Sequence, residues 1–186
     1  TMPLLPKADV VITGYSTCDQ PVLMRYDATL IAHTPEPRLE AGVPVCYLNE
    51  RGDTIVPYGR YKFCQTDTIK GIGFVYEDKP RDARIVCIND AGKKLFYVVE
   101  CDNGPDYVKE GLFRIMDEKG LMGFADSSGH IIITPQFKFA YPFEGGKAKV
   151  TITGKHKVVS GSDGEKHYCD REEWRYINRR CKFVQP

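Results

Sequence analysis

The sequence predicts an all-β protein: an array of antiparallel β-hairpin or meander repeats, arranged as a twisted sheet or short solenoid, with an N-terminal β segment capping it. Three observations carry that expectation. One strand-and-turn plan recurs four times, each copy closes on an Asx-led tight turn, and helical periodicity is almost absent along the 186 residues.

The four copies are VCYLNERG (45–52), IVCINDAG (85–92), MGFADSSG (122–129) and WRYINRRC (174–181). Their closing residues are spaced by 40, 37 and 52 positions, so the third interval holds an insertion. Asn49, Asn89, Asp126 and Asn178 stand three places before the closing residue. Asx first and Gly fourth is the chemistry of a type I turn running into a left-handed bulge position. The Asx side chain bonds back to the turn backbone, and glycine takes the positive φ without a Cβ clash. Beyond each turn a β-branched or aromatic run supplies the returning strand: 54–56, 95–99, 131–133 and 183–184.

A further Asx turn, Asp117-Glu118-Lys119-Gly120, joins a strand at 112–116 to one at 121–125, making the third unit a three-stranded antiparallel meander. Strands at 72–76, 112–116 and 147–152 occupy the same place in their units, each near a glycine: Gly71, Gly111 and Gly146. Residues 22–32 fit either a hairpin or a helix. Residues 105–111 have room for a single helical turn.

Two stretches carry a resemblance. Trp174-Arg175-Tyr176-Ile177-Asn178 followed by Lys182-Phe183-Val184-Gln185-Pro186, and Gly120-Leu121-Met122-Gly123-Phe124 followed by residues 129–137, resemble the bacterial WG repeat, a β-hairpin repeat. The likeness spans residues 44–186, in units of about 45–84, 85–121, 122–173 and 174–186, and leaves residues 1–43 as the capping β segment. The third unit matches best, because residues 142–148 also look like the repeat's closing stretch. The Trp-Gly pair is nowhere intact: Val45, Ile85, Met122 and Trp174 hold the Trp place, and Cys46, Val86, Gly123 and Arg175 the Gly place. Cys181 replaces the turn glycine, where positive φ costs a cysteine about 1 to 3 kcal/mol, so that turn is either strained or of another type. The resemblance implies an all-β binding or scaffold module and supplies no catalytic residues.

Composition narrows the partners. With 42% hydrophobic and 27% charged residues the chain has the make-up of an ordinary globular protein. Lys plus Arg is 26 against 25 acidic residues, a net charge of +1 that gives no global pull toward nucleic acid or an anionic membrane, so neither is expected as a partner. No apolar run approaches membrane-helix length, and the opening TMPLLPKADVVITG lacks the form of a signal peptide. Seven cysteines, an odd number, read as reduced thiols and favour the cytoplasm; a signal removed before Thr1 would make the chain periplasmic or secreted.

His156, His167, Cys169 and Cys181 offer the donor types of a zinc site, but their spacing lacks the paired knuckles such sites use, so no metal or other cofactor is expected. Cys169, His167 and Asp170 supply the types for a cysteine nucleophile, yet adjacent strand residues point to opposite faces. Arg171, Arg175, Arg179, Arg180 and Lys182 form a basic patch diluted by Asp170, Glu172 and Glu173, which reads as a solvated hairpin.

The aromatics point to a binding surface. Tyr61 and Phe63 flank Lys62 as Phe137 and Phe139 flank Lys138, so alternation turns these rings toward the core and the lysines outward. Tyr58, Tyr107 and Tyr141, in the connections after the returning strands, are left to line a contact surface. The expectation is a non-catalytic repeat module that binds or scaffolds a protein or peptide. The alternatives are a carbohydrate or small-ligand module, and a cysteine-dependent hydrolase.

Overall fold

A computed structural model describes residues 11–15, 21–24, 29–40, 42–77, 84–153, 155–158, 167–170 and 173–186; for 11–15, 21–24, 155–158 and 167–170 only the backbone pairing is described. All regular structure among the described residues is β, and the pairings are antiparallel.

The strands follow the chain. β1 (Val11–Tyr15) and β2 (Pro21–Met24) form a separate ribbon. The main sheet begins with β3 (Thr29–His33), β4 (Val45–Asn49) and β5 (Thr54–Tyr61), and continues through the short β6 (Phe63–Cys64) and β7 (Thr68–Lys70) to β8 (Ile72–Glu77), β9 (Arg84–Asn89) and β10 (Lys94–Val98). A small ribbon of β11 (Glu100–Cys101) and β12 (Gly104–Pro105) leads to β13 (Leu112–Met116), β14 (Met122–Asp126) and β15 (Ile131–Phe137). A second sheet holds β16 (Phe139–Ala140), β17 (Lys147–Thr151), β20 (Arg175–Asn178) and β21 (Phe183–Val184), and the ribbon β18 (Lys155–Val158) and β19 (His167–Asp170) lies in the insertion between β17 and β20.

The main sheet runs β15-β14-β13-β10-β9-β8-β7-β3-β4-β5, with β6 attached to β8. Residues 22–32 are thus strand on both sides of their midpoint. β2 pairs with β1, whereas β3 lies between β4 and β7 inside the main sheet.

The Asx turns are built alike. In five of them, led by Asn49, Asn89, Asp117, Asp126 and Asn178, the side-chain oxygen accepts the N–H groups two and four residues on, at 2.9 to 3.1 Å. Gly52, Gly92, Gly120 and Gly129 close the first four with φ between 72° and 85°, and Cys181 closes the fifth at φ 58°. The cysteine therefore occupies the same turn type as the glycines, in the strained left-handed region.

Residues 105–111 form no helical turn. Lys109 and Leu112 exchange both backbone hydrogen bonds around Glu110 (φ 51°) and Gly111 (φ 78°), a two-residue hairpin turn with both central residues left-handed. Gly145 (φ 59°) and Gly146 (φ 77°) repeat that turn between Glu144 and Lys147.

Three apolar clusters hold the array. The first gathers Leu30, Val45, Tyr47, Val56, Tyr61 and Ile69; the second Ile85, Cys87, Phe96, Phe113 and Ile115; the third Met122, Phe124, Ile133, Phe137, Phe139, Phe143 and Ile177. Val45, Ile85 and Met122, in the Trp place of the repeat, are buried in one cluster each, and Trp174 packs half-buried against the third. The Gly place is more demanding at Gly123. Residues 134–136 bulge out between the pairs Met122↔Phe137 and Phe124↔Ile133, and this brings the β15 backbone over Gly123, so that a Cβ there would stand 2.6 Å from the Pro135 nitrogen. At Val86 the ladder to β10 is regular and a side chain fits.

Candidate binding surface

The alternation read from sequence places the aromatics as follows. Tyr61, Phe137 and Phe139 are buried, Phe63 is half-buried against Tyr76 with ring centroids 5.6 Å apart, and Lys62 and Lys138 are exposed. Tyr58, Tyr107 and Tyr141 are 49%, 56% and 43% exposed.

The three tyrosines stand in different surroundings. Tyr58 lies on β5, one edge of the main sheet. Tyr107 follows β12, and Asp102, hydrogen-bonded to its hydroxyl, holds that hydroxyl above the ordinary tyrosine range. Tyr141 follows β16 and joins a ring cluster, 5.2 Å from Phe139 and 5.5 Å from Trp174 between centroids, with Phe139 and Trp174 edge to face at 6.3 Å.

The register of the second sheet explains what surrounds Tyr141. β17 pairs with β20 so that Lys149 lies opposite Tyr176 and Lys147 opposite Asn178, while Ala148 and Val150 turn into the core with Ile177. The backbone N–H of Tyr141 donates to the Lys149 carbonyl at 2.9 Å, which sets the tyrosine beside that outer face. Lys149 Nζ lies 5.0 Å from the Trp174 ring centroid and 5.9 Å from that of Tyr141, and Lys147 Nζ 5.5 Å from that of Tyr176.

An open groove of about 640 Å³ runs along this face. Tyr141, Phe143, Lys147, Lys149 and Tyr176 line one part of it, and Lys109, Glu110 and Glu144, from the two left-handed hairpin turns, line another. Those turns are tied together: the Glu110 carboxylate accepts the Gly146 N–H at 3.0 Å, and Arg179 donates to the Glu110 carbonyl. Two members of the basic patch are thus engaged within the chain, Arg179 with that carbonyl and Arg175 over the Phe183 ring at 4.9 Å.

Sequence reasoning singled out Tyr141 but missed Lys147, Lys149 and the place of Trp174 beside them. The signal was the Lys-x-Lys alternation on a strand whose other face is Ala148 and Val150.

For cysteine chemistry the described thiols are poorly disposed. Cys46, Cys64, Cys87, Cys101 and Cys181 are free. Burial pushes the thiols of Cys64, Cys101 and Cys181 above the ordinary range and that of Cys87 up to about 12, away from the reactive thiolate. Among the described residues no three His, Cys, Asp or Glu side chains gather as metal ligands. The side chains of His156, His167, Cys169 and Asp170, and residue 171 of the basic patch, lie outside the described residues.

No curated protein and no solved structure matches the chain. The family model for the WG containing repeat does match, over residues 122–155, the stretch that runs from β14 to the first residue of β18 and includes Gly123, Tyr141, Lys147 and Lys149. With Met122 in the Trp place and Gly123 retained, that stretch is a single degenerate copy of the WG repeat.

Proposed function

We propose that this repeat module is non-catalytic and binds a protein or peptide, with Tyr141 and the groove beside it as the contact surface. The observation that carries the reading is the cluster of Tyr141, Trp174 and Lys149: partly exposed rings packed on one another beside an open groove, with a cation over their faces. Rings fixed by packing lose little freedom on binding, which is why tyrosine and tryptophan dominate protein contacts. Tyr107, two residues before Lys109, belongs to the connection that reaches the groove, while Tyr58 offers a separate contact at the far edge of the sheet.

Selection from a displayed random-peptide library on the immobilised protein tests this. Peptides recovered on the wild type are expected to lose binding to Tyr141→Ala and keep it on Tyr58→Ala. Equal binding to all three would move the contact away from the groove. The carbohydrate reading rests on the same exposed rings, and a glycan array that lights up while the peptide selection fails would replace the peptide reading with it.

A further inference from the structure

Among the described residues, the three lysines of the groove have no acidic partner. Among the described residues, Lys109, Lys147 and Lys149 form no salt bridge, although this chain has 25 acidic residues to offer. Lys147 and Lys149 are instead held over aromatic rings, an arrangement that orients the ammonium group while leaving its other donors open to the groove. Of the two carboxylates lining the groove, Glu110 is occupied by the Gly146 N–H with both oxygens, at 3.0 and 3.3 Å. Glu144 is paired with Lys147 through the backbone, and among the described residues its carboxylate makes no hydrogen bond or salt bridge.

We infer that the peptide taken by this groove is acidic, with carboxylates meeting Lys147 and Lys149 and an apolar side chain seated against Tyr141 and Phe143. This rests on the peptide-binding reading above and names the chemistry of the partner. Three lysines against two carboxylates leave the groove lining net positive, so charge complementarity favours an acidic segment over a basic or neutral one. The ring stacking is the second element of selectivity: it holds Lys149 beside the Trp174 and Tyr141 faces, so a carboxylate and an apolar side chain two residues apart on an extended peptide would reach the lysine and the ring on one side.

Trp174 is the sole tryptophan of the chain and packs against Tyr141 and Lys149 of the groove lining, so its emission reports on the groove through those two side chains. The full chain is titrated with a short Glu-Ser-Leu-Ser repeat peptide, which sets glutamate and leucine two residues apart on one face, with its lysine–leucine and serine–leucine counterparts in which lysine or serine replaces glutamate, with heparin and with single-stranded oligothymidylate. The acidic peptide is expected to change Trp174 emission saturably, with affinity falling as salt screens the charges. Lys147→Gln and Lys149→Gln, both on the solvent face, should each weaken it by about two- to fivefold while the thermal midpoint stays in place. Equal binding of the serine–leucine peptide, or no weakening in either lysine variant, overturns the acidic assignment and leaves peptide binding standing. Binding of heparin or oligothymidylate without the acidic peptide, or silence from every probe, overturns both.

Discussion

Asp106 grips Arg114 at both ends of its carboxylate: Oδ1 accepts from one terminal nitrogen of the guanidinium at 2.7 Å, and Oδ2 accepts from Nε and from the Arg114 backbone N–H, each at 2.9 Å. The carboxylate side chain is 2% exposed and the arginine 11%, and the remaining terminal nitrogen of Arg114 donates to the Ala140 carbonyl at 3.2 Å. One arginine on β13 thereby fastens the connection before it to β16 of the second sheet. Asp106→Ala leaves a buried guanidinium without its counter-ion and should lower unfolding free energy by about 3 to 5 kcal/mol in urea titration. A loss under about 1 kcal/mol would mean that water reaches the pair and screens it.

Two buried tyrosines in the first cluster should respond in opposite ways to loss of the hydroxyl. Tyr47 donates to the Thr66 carbonyl at 2.6 Å, whereas the Tyr61 hydroxyl has no hydrogen-bond partner among the described residues. Tyr47→Phe is expected to cost about 1 kcal/mol, and Tyr61→Phe to be neutral or stabilising by about as much. Chemical denaturation of the two variants side by side decides it, and an equal loss in both would show that Tyr61 has a partner in solution.

Gly123 and Cys181 make a matched pair of backbone tests. At Gly123→Ala the new methyl would press on the Ile133 carbonyl and the Pro135 backbone, and a loss of about 1 to 3 kcal/mol is expected. At Cys181→Gly the left-handed strain is relieved and the thermal midpoint should rise, by the equivalent of about 1 kcal/mol. A fall in the midpoint of Cys181→Gly would show that the packing of this side chain on the third cluster outweighs its backbone strain.

Acid should weaken the turn led by Asp126. The His130 backbone N–H, then the Ser128 N–H and the His130 ring, hold the carboxyl below the ordinary aspartate range. A carboxyl depressed on folding contributes stability that is complete at neutral pH and is lost as pH falls below about 4, through the folded value. Asp126→Asn keeps the oxygen that the turn uses, as Asn49, Asn89 and Asn178 already show. The variant should therefore unfold with a shallower acid limb than the wild type, and an unchanged limb would place the acid sensitivity elsewhere.

The hairpins were legible because an Asx turn is a local object: the side-chain oxygen, two N–H groups and a left-handed fourth residue lie within five positions. The left-handed turn at Glu110 was missed because its first central residue is a glutamate, which carries no sign of positive φ. Order in the sheet is set by non-local pairing, and nothing in residues 29–33 announces that both β4 and β7 will flank them. The groove was half legible. Tyr141 stood out as a tyrosine among inward-turning phenylalanines, but Lys149 and Trp174 meet only through the β17–β20 register, across an insertion that separates them along the chain. Asp106 and Arg114 were hidden for the same reason, since an aspartate after a proline reads as turn chemistry until the fold buries it.

Because β3 sits between β4 and β7, the two halves of the array assemble on different clocks. The meander of β13, β14 and β15 closes between near neighbours, as soon as each turn has formed. The first cluster waits for Thr29 to find Lys70 and Leu30 to find Ile69, with the whole β4–β5 hairpin looped out between them. Loop-closure entropy makes that long-range pairing the slow event of folding. A nascent chain would thus hold the β3–β4–β5 meander in hand and lock the sheet only when β7 has emerged to clasp β3 from its other side.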